Sequence, residues 1–139
     1  MKITFYGHAS LGIAVGGNTT IVDPHISANS NDAHMTIDTL KADYILLTHA
    51  HGDHILDVEA IAKRTNAVIV SNAEIAGYYG AKGFQSHPMN HGGSWNFDFG
   101  KLKYVNAIHS SSFPDGSYGG NPGGFVIEGE HKNVYIAGD

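Results

Sequence analysis

Short apolar runs separated by glycine and other turn residues make up most of the hydrophobic pattern in the first half of the chain. Polar–apolar alternation or a β-prone apolar composition predicts five strands, at 2–6, 11–15, 19–22, 43–47 and 67–70. Gly16-Gly17-Asn18 is a turn signal between the second and third of these runs, so the two strands are predicted to form a hairpin.

Three other segments of the first half have helical patterns. Apolar residues at helical spacing over 55–64, with two basic residues at the C-terminal end, predict a helix. The sequence Ser71-Asn72-Ala73-Glu74 has the form of a capping box and predicts a second helix that runs to about Ala81. A third, short helix is predicted over 35–41.

The second half of the chain consists of short β-like pieces separated by glycine. Strands are predicted at 84–89, 94–99, 102–108, 125–128 and 133–136. Residues 110–124 are rich in serine, glycine and proline and predict a long loop. Long loops in compact domains often have a function, so this segment is a candidate part of a site.

Composition fits one folded globular domain that spans residues 1–139. Apolar residues make up 42% of the chain and charged residues 15%, which is not the composition of a disordered chain. The formal net charge is −5 and lysine and arginine do not cluster, so we expect no nucleic-acid partner. No run is long and apolar enough to predict a membrane span. The lack of cysteine excludes thiolate metal ligands and fits a cytoplasmic location.

Three histidines and an aspartate lie within six positions, as His49, His51, Asp53 and His54. Imidazole nitrogens and carboxylate oxygens are ligands that divalent metals such as zinc prefer. His49 and His51 are two residues apart on extended chain, so they project to the same side. Asp53 and His54 lie where a helix is predicted to begin and can face a second position. The spacing predicts a two-metal site at the C-terminal end of a strand, rather than a solvent-exposed histidine-rich loop.

Two further residues follow strand-like segments in the second half. His109 can complete a three-histidine site with His49 and His51, or it can be an ordinary surface histidine. The three serines after it are expected to form hydrogen bonds within the loop. Asp139 ends an apolar strand-like segment, and its carboxylate can bridge two cations. From its position alone, however, a plain turn aspartate is the favoured interpretation of Asp139.

Two residues of the first half also have two possible roles each. His8 lies in a loop after the first predicted strand, where it can contact a substrate or a ligand, or cap a turn. Asp23 precedes Pro24 and can orient a metal-binding histidine through a hydrogen bond, or form an Asx turn. The residues themselves do not decide between these alternatives.

The segment from Thr48 to His54 matches the H-x-H-x-D-H signature of the metallo-β-lactamase superfamily. Several other stretches resemble one branch of it, small prokaryotic metal-dependent hydrolases of largely unassigned substrate that are related to the L-ascorbate-6-phosphate lactonases. These stretches are Gly7-His8-Ala9-Ser10, Ile21-Val22-Asp23-Pro24, Asn72-Ala73-Glu74-Ile75-Ala76, His87-Pro88-Met89-Asn90, Gly92-Gly93-Ser94, His109-Ser110-Ser111-Ser112 and Ala137-Gly138-Asp139. The resemblance covers essentially the whole chain.

The resemblance implies an α+β fold, the four-layer αββα sandwich built from two similar halves, of which this chain would form mainly the N-terminal half. It also implies six metal ligands: His49, His51 and His109 for the first metal, Asp53 and His54 for the second, and Asp139 as the bridge. His8 and Asp23 stay candidates for a direct or an indirect role at the metals.

The resemblance also indicates that the chain is truncated. Family members continue past the Gly-Asp pair that ends at Asp139, and that continuation carries a last histidine for the second metal. An isolated half would expose an apolar sheet face, and patches of that size usually have a partner. We therefore expect association, either with a complementing C-terminal half or as a homo-oligomer.

The resemblance, together with the cluster of metal donors, implies a metal-dependent hydrolase that acts on a small molecule. A metal pair lowers the pKa of a bound water to about 7, and the resulting hydroxide can attack an ester, a lactone or a phosphoester. Zinc is the expected metal, with manganese or nickel as alternatives, at up to two ions per complete site. Asp53 and His8 are the candidate catalytic residues. The alternative function is a catalytically silent metal-binding half-domain that needs a C-terminal partner.

Overall fold

The computed structural model describes residues 1–29, 37–129 and 131–139 of the chain. Within these residues the elements are, in chain order, β1 Lys2–Phe5, β2 Leu11–Val15, β3 Asn18–Val22, β4 Tyr44–Leu46, α1 Gly52–Ile55, α2 Val58–Thr65, β5 Val68–Asn72, α3 Ala73–Ala81, β6 Ser86–Met89, β7 Ser94–Phe97, β8 Gly100–Asn106, β9 Gly123–Gly129 and β10 Lys132–Ile136. Every strand predicted from the sequence is present, with ends that differ by a few residues.

Six strands form the first sheet, in the order β1-β2-β3-β4-β5-β6. β1, β2 and β3 pair antiparallel, and the turn between β2 and β3 has positive φ at Gly16 (57°) and Gly17 (79°), as a type I′ turn requires. From β3 to β6 the pairing is parallel. The C-terminal ends of these strands therefore meet at one edge of the sheet, where Asp23 follows β3 and Thr48 lies two residues after β4.

Four antiparallel strands form the second sheet, in the order β10-β9-β8-β7. Successive residues of the parallel strands face opposite layers. One buried cluster joins the first sheet to α2 and α3 and includes Ile21, Ile45, Ile69, Ile61 and Ile75. The other joins the two sheets and includes Val22, Leu46, Val70, Leu102 and Phe125. The described layers are helix, sheet and sheet, and the predicted α+β sandwich fold is confirmed.

The helix predicted over 55–64 is confirmed for residues 58–64, which belong to α2, but its start is wrong because a turn at residues 56–57 separates α2 from α1. The N–H of Asp57 donates to the carbonyl of Pro24 over 3.0 Å. The Asp57 carboxylate accepts hydrogen bonds from the N–H groups of Ile26, at 2.6 Å, and Ser27, at 2.8 Å. A contact with a loop from a distant part of the chain therefore interrupts the helix.

The helix predicted to start in the capping-box sequence begins one residue later than that pattern indicates. Asn72 is the N-cap of α3, and its Oδ1 accepts a hydrogen bond from the N–H of Ile75 at 2.8 Å. Ser71 belongs to β5, and its hydroxyl donates to the carbonyl of Leu47 at 2.7 Å. The sheet therefore uses the serine, and the asparagine caps the helix.

The short helix predicted over 35–41 is wrong for residues 37–41, which form turns and irregular chain, whereas 35–36 lie outside the described residues. The guanidinium of Arg64 donates to the carbonyls of Ile37 and Leu40, so these groups are satisfied without helical hydrogen bonds. No described helix is long and apolar enough to cross a membrane.

Candidate metal centre

The loop between β4 and α1 lies at the sheet edge where the parallel strands end. Asp23 holds the start of this loop, because Oδ1 accepts the N–H of Thr48 at 2.8 Å and Oδ2 accepts its hydroxyl at 2.6 Å. Asp23 is buried and has a left-handed φ of 43°, which is rare for a residue that precedes proline. Backbone strain of this kind persists where surrounding contacts impose it, often at functional sites.

Three imidazoles converge beside this loop. Nε2 of His49 lies 3.0 Å from Nδ1 of His51. The ring centroid of His109 lies 4.9 Å from that of His49 and 5.1 Å from that of His51. His49 is buried, His51 is half-buried and His109 is exposed. His49 and His51 follow β4 of the first sheet and His109 follows β8 of the second, so loops from both sheets supply this group.

A chain of hydrogen bonds fixes which nitrogen of His49 faces the group. The Thr48 hydroxyl donates its one proton to Asp23, so it accepts a proton from Nδ1 of His49, which is 3.0 Å away. Nε2 of His49 is then free of a proton. Burial, with the neighbouring imidazoles of His54 and His51, lowers the pKa of His49 to about 3. The ring is therefore neutral at pH 7, which is the form that binds a metal.

A second group of donors meets at His54. Nε2 of His54 lies 3.2 Å from Oδ2 of Asp139 and 3.9 Å from Oδ2 of Asp53. Nε2 of His8 lies 3.0 Å from the same oxygen of Asp53. Donor atoms of His49, His54 and Asp139 also lie within 4.8 Å of one another, so Asp139 adjoins both groups.

Asp23 also determines the orientation of His54. Its Oδ2 lies 3.0 Å from Nδ1 of His54 and accepts that proton, which leaves Nε2 free to face Asp139. Burial disfavours the charged ring, but the hydrogen bond and the charge of Asp23 outweigh it and raise the pKa of His54. Burial raises the pKa of Asp23, although His54 and Thr48 oppose that shift. A carboxylate on the outer nitrogen is the common arrangement for a metal-binding histidine.

The spacing of the donors fits divalent metal ions. A tetrahedral site with metal–ligand bonds of about 2.0–2.1 Å separates its donor atoms by about 3.3 Å. The donor atoms of His49 and His51 are 3.0 Å apart, and those of His54 and Asp139 are 3.2 Å apart. Imidazole and carboxylate donors without thiolates suit zinc, and also manganese or nickel. The six ligands implied by the resemblance, together with His8, thus lie at one edge of the fold.

Residues that hold the donor loops were only partly anticipated from the sequence. The hydroxyl of Ser111 accepts the N–H of Ala50 at 3.1 Å and donates to the carbonyl of Gly119 at 2.9 Å, as expected for the serines after His109. The hydroxyl of Tyr104, which donates to the carbonyl of Thr48 at 3.2 Å, was missed. Its place inside a β-like run indicates a core residue and carries no signal of this contact.

Comparison with known proteins adds three findings. A profile of the beta-lactamase superfamily domain matches residues 18–139. A UPF0173 metal-dependent hydrolase of Flavobacterium johnsoniae is 81% identical over 139 residues, and one of Methylacidiphilum infernorum is 51% identical over 140; each alignment covers 100% of this chain and 62% of the relative. The structure of Igni18, a metallo hydrolase of Ignicoccus hospitalis, matches with a TM-score of 0.82 and 33% identity, over 99% of this chain and 60% of that one. The chain thus spans less than two thirds of the length of these proteins.

Proposed function

We propose that this chain, which belongs to the beta-lactamase superfamily, is the metal-binding part of a metal-dependent hydrolase. The superfamily predicted from the sequence is confirmed by the match over residues 18–139. Relatives that are similar over the whole of this chain are described as metal-dependent hydrolases, and that description supports the proposal. The proposed substrate is a small molecule.

The observation that carries this proposal is that one carboxylate, that of Asp23, orients the rings of two histidines. Asp23 accepts the Nδ1 proton of His54 directly and that of His49 through the hydroxyl of Thr48. Each ring therefore turns its Nε2 towards other donors, and Nε2 of the neutral His49 ring carries no proton. A carboxylate that binds the outer nitrogen of a histidine is the arrangement that orients the ring for metal ligation.

The proposed chemistry divides between the metal and the side chains. A bound divalent metal would supply a hydroxide nucleophile at neutral pH and stabilise negative charge that develops on the substrate. Partial burial raises the pKa of Asp53, but its own backbone N–H and the nearby His54 and His8 lower it overall. Asp53 is therefore ionised at neutral pH and is proposed to orient the attacking water or accept its proton.

The finer features of the function are proposals as well. An ester or a lactone is the proposed substrate, with a phosphoester as the alternative, because the same donors suit attack at a carbonyl or a phosphoryl centre. Zinc is the proposed metal, at up to two ions, and manganese or nickel are the alternatives. A cytoplasmic location belongs to the same proposal, and microscopy of a tagged full-length protein tests it.

Metal analysis and turnover of the full-length natural protein test the function. His51→Ala should remove most zinc from the first group, whereas wild-type occupancy in this variant would refute the assignment. His131→Asn is the control, because His131 lies in the distant β9–β10 turn and Asn tolerates its φ of 66°. The zinc-loaded protein should hydrolyse simple esters, lactones or bis-p-nitrophenyl phosphate. Zinc binding without turnover of any of them would favour the silent metal-binding module.

We also propose that a partner covers the edge formed by β1 and β10, which are edge strands of the two sheets. Ile3 and Phe5 of β1 are 51% and 65% exposed, and Tyr135 of β10 is 64% exposed. Phe5 and Tyr135 line one cavity of about 280 Å³ together with Gly138. Exposed apolar edges of this kind usually have a partner. The candidates are a second copy of the chain and a C-terminal segment such as the longer relatives have.

Light scattering and hydrogen exchange on the full-length natural protein separate these two partners. A dimer that Phe5→Ser and Tyr135→Ser together convert to monomers would identify the second copy. A monomer with slow exchange along β1 and β10 would identify a covering segment of the same protein. Fast exchange along both strands in a monomer would contradict association at this edge.

A further inference from the structure

We propose that His8 is a metal ligand that joins Asp53 and His54 in the donor set of the second metal position. This role presupposes the metal-dependent function proposed above. His8 lies 41 positions before the first histidine of the H-x-H-x-D-H segment, so that motif does not include it.

The distances around Asp53 match those within a metal-binding group. Nε2 of His8 lies 3.0 Å from Oδ2 of Asp53, and Nε2 of His54 lies 3.9 Å from the same oxygen. Oδ2 of Asp139 lies 3.2 Å from Nε2 of His54, so Asp139 adjoins this group through His54. Donor atoms around a tetrahedral zinc ion are about 3.3 Å apart, and donor atoms of His8, Asp53 and His54 lie within 4.8 Å of one another, so these three residues can share one ion with small movements.

The backbone of the His8 loop is built to direct this ring. His8 has a φ of 51°, in the left-handed region that residues other than glycine rarely adopt, and it follows Gly7 with a φ of 97°. The N–H of Ser10 donates to the carbonyl of Gly7 at 2.9 Å and closes the turn. A Cβ at Gly7 would lie 2.6 Å from Nδ2 of Asn29, so this position needs glycine.

The same loop is attached to the residue that orients the other donors. The buried hydroxyl of Ser10 donates to the carbonyl of Asp23 at 2.7 Å and accepts the N–H of His25 at 2.9 Å. His8, His49 and His54 are therefore all positioned through Asp23. A shared anchor keeps the three rings in a constant relationship, as a metal site requires.

A simple ion pair between His8 and Asp53 accounts poorly for this arrangement. The two side chains are 40% and 50% exposed, and exposed pairs contribute little to stability. A strained backbone is seldom retained for so small a gain, whereas strain is common where a side chain must meet a ligand. Metal ligation accounts for both the strain and the convergence of Nε2 with the donors of Asp53 and His54.

Zinc stoichiometry of the full-length natural protein and its His8→Asn variant tests this role. Asn tolerates the left-handed backbone but lacks the imidazole, so it separates ligation from loop shape. Wild type should hold two zinc ions per chain and His8→Asn one. Loss of a hydrogen-bond partner outside the ligand set costs roughly 10–100-fold in metal affinity. The affinity of His8→Asn for the second zinc should fall by more than that. His25→Asn is the control, since its ring is 5.5 Å from that of His8 but joins none of the converging donor groups among the described residues.

Each outcome separates this role from the proposed function. If His8→Asn holds two ions with a loss of 100-fold or less, His8 is a hydrogen-bond partner and the metal function stands. If the wild type binds no zinc, the metal function fails first and this role with it. A second measurement needs no variant, because the Nε2 resonance of His8 in ring-15N-labelled protein should shift with the second equivalent of zinc. An unshifted resonance overturns the role of His8.

Discussion

Asp23 and His54 form a buried pair in which Oδ2 lies 3.0 Å from Nδ1 and the side chains are 2% and 0% exposed. The same carboxylate binds the hydroxyl of Thr48, which in turn meets Nδ1 of His49. One residue at the end of β3 therefore orients a histidine in each donor group. Neither histidine can change its tautomer without breaking a buried hydrogen bond.

Asp23→Asn should weaken zinc binding at both groups. The amide nitrogen would place a donor either against the N–H of Thr48 or against both the Thr48 hydroxyl and Nδ1 of His54, where the carboxylate now accepts. We expect a loss of zinc affinity of roughly 10–100-fold, measured by competition with a chelating dye. Asp43→Asn is the control, because Asp43 accepts the N–H of Thr19 at the other end of β4 and an amide oxygen can replace it. Equal zinc affinity in Asp23→Asn and wild type would contradict this orienting role.

Asp57→Ala should destabilise the fold more than removal of a surface charge. The buried Asp57 carboxylate accepts hydrogen bonds from two N–H groups and from the hydroxyl of Ser27 at 2.5 Å. Their loss should reduce the free energy of unfolding by roughly 2–4 kcal/mol, measured by urea denaturation. Glu59→Ala removes an acidic residue of α2 whose carboxylate forms an exposed pair with Lys82, and should cost at most about 1 kcal/mol. Similar losses for both variants would show that the Asp57 contacts are weak.

The sequence predicted elements whose signals are local. The hairpin turn at Gly16 and Gly17 needs two residues with positive φ, and the strands have β-type composition within a few positions. The break at Asp57 depends on a loop 30 residues earlier, which helical spacing cannot register. For the same reason, the predicted start of the helix over 55–64 was wrong, whereas its residues 58–64 were predicted correctly.

The candidate site, like the fold, could be predicted from the sequence only where its residues are close together along the chain. His49, His51, Asp53 and His54 are close in sequence, so their chemistry was visible as a cluster. The approach of Asp139 to His54 spans 85 positions and depends on the β9–β10 hairpin, so the residues alone favoured a plain turn aspartate. The resemblance supplied that pairing, because it includes the Gly-Asp pair.

Gly124→Ala should disturb the end of β10 and, through it, Asp139. A Cβ at Gly124 would collide with the carbonyl of Ile136 and lie 2.8 Å from that of Ala137. We expect a loss of roughly 1–3 kcal/mol in unfolding free energy together with weaker zinc binding. Gly77→Ala is the matched control, because its Cβ meets no atom within 4 Å in α3 and should stabilise by roughly 0.5–1 kcal/mol. A neutral Gly124→Ala variant would mean that β10 moves without cost.

Ser111→Ala should loosen the two donor loops from each other. The hydroxyl of Ser111 is the acceptor for the N–H of Ala50 and donates to the carbonyl of Gly119, so alanine leaves a buried N–H unpaired. That loss should cost about 1–3 kcal/mol in urea denaturation and reduce zinc affinity, because Ala50 lies between His49 and His51. Ser112→Ala is the control, since Ser112 pairs with Tyr118 through its backbone. Equal stability and equal zinc affinity in the two variants would show that Ser111 does not set the position of His49 and His51.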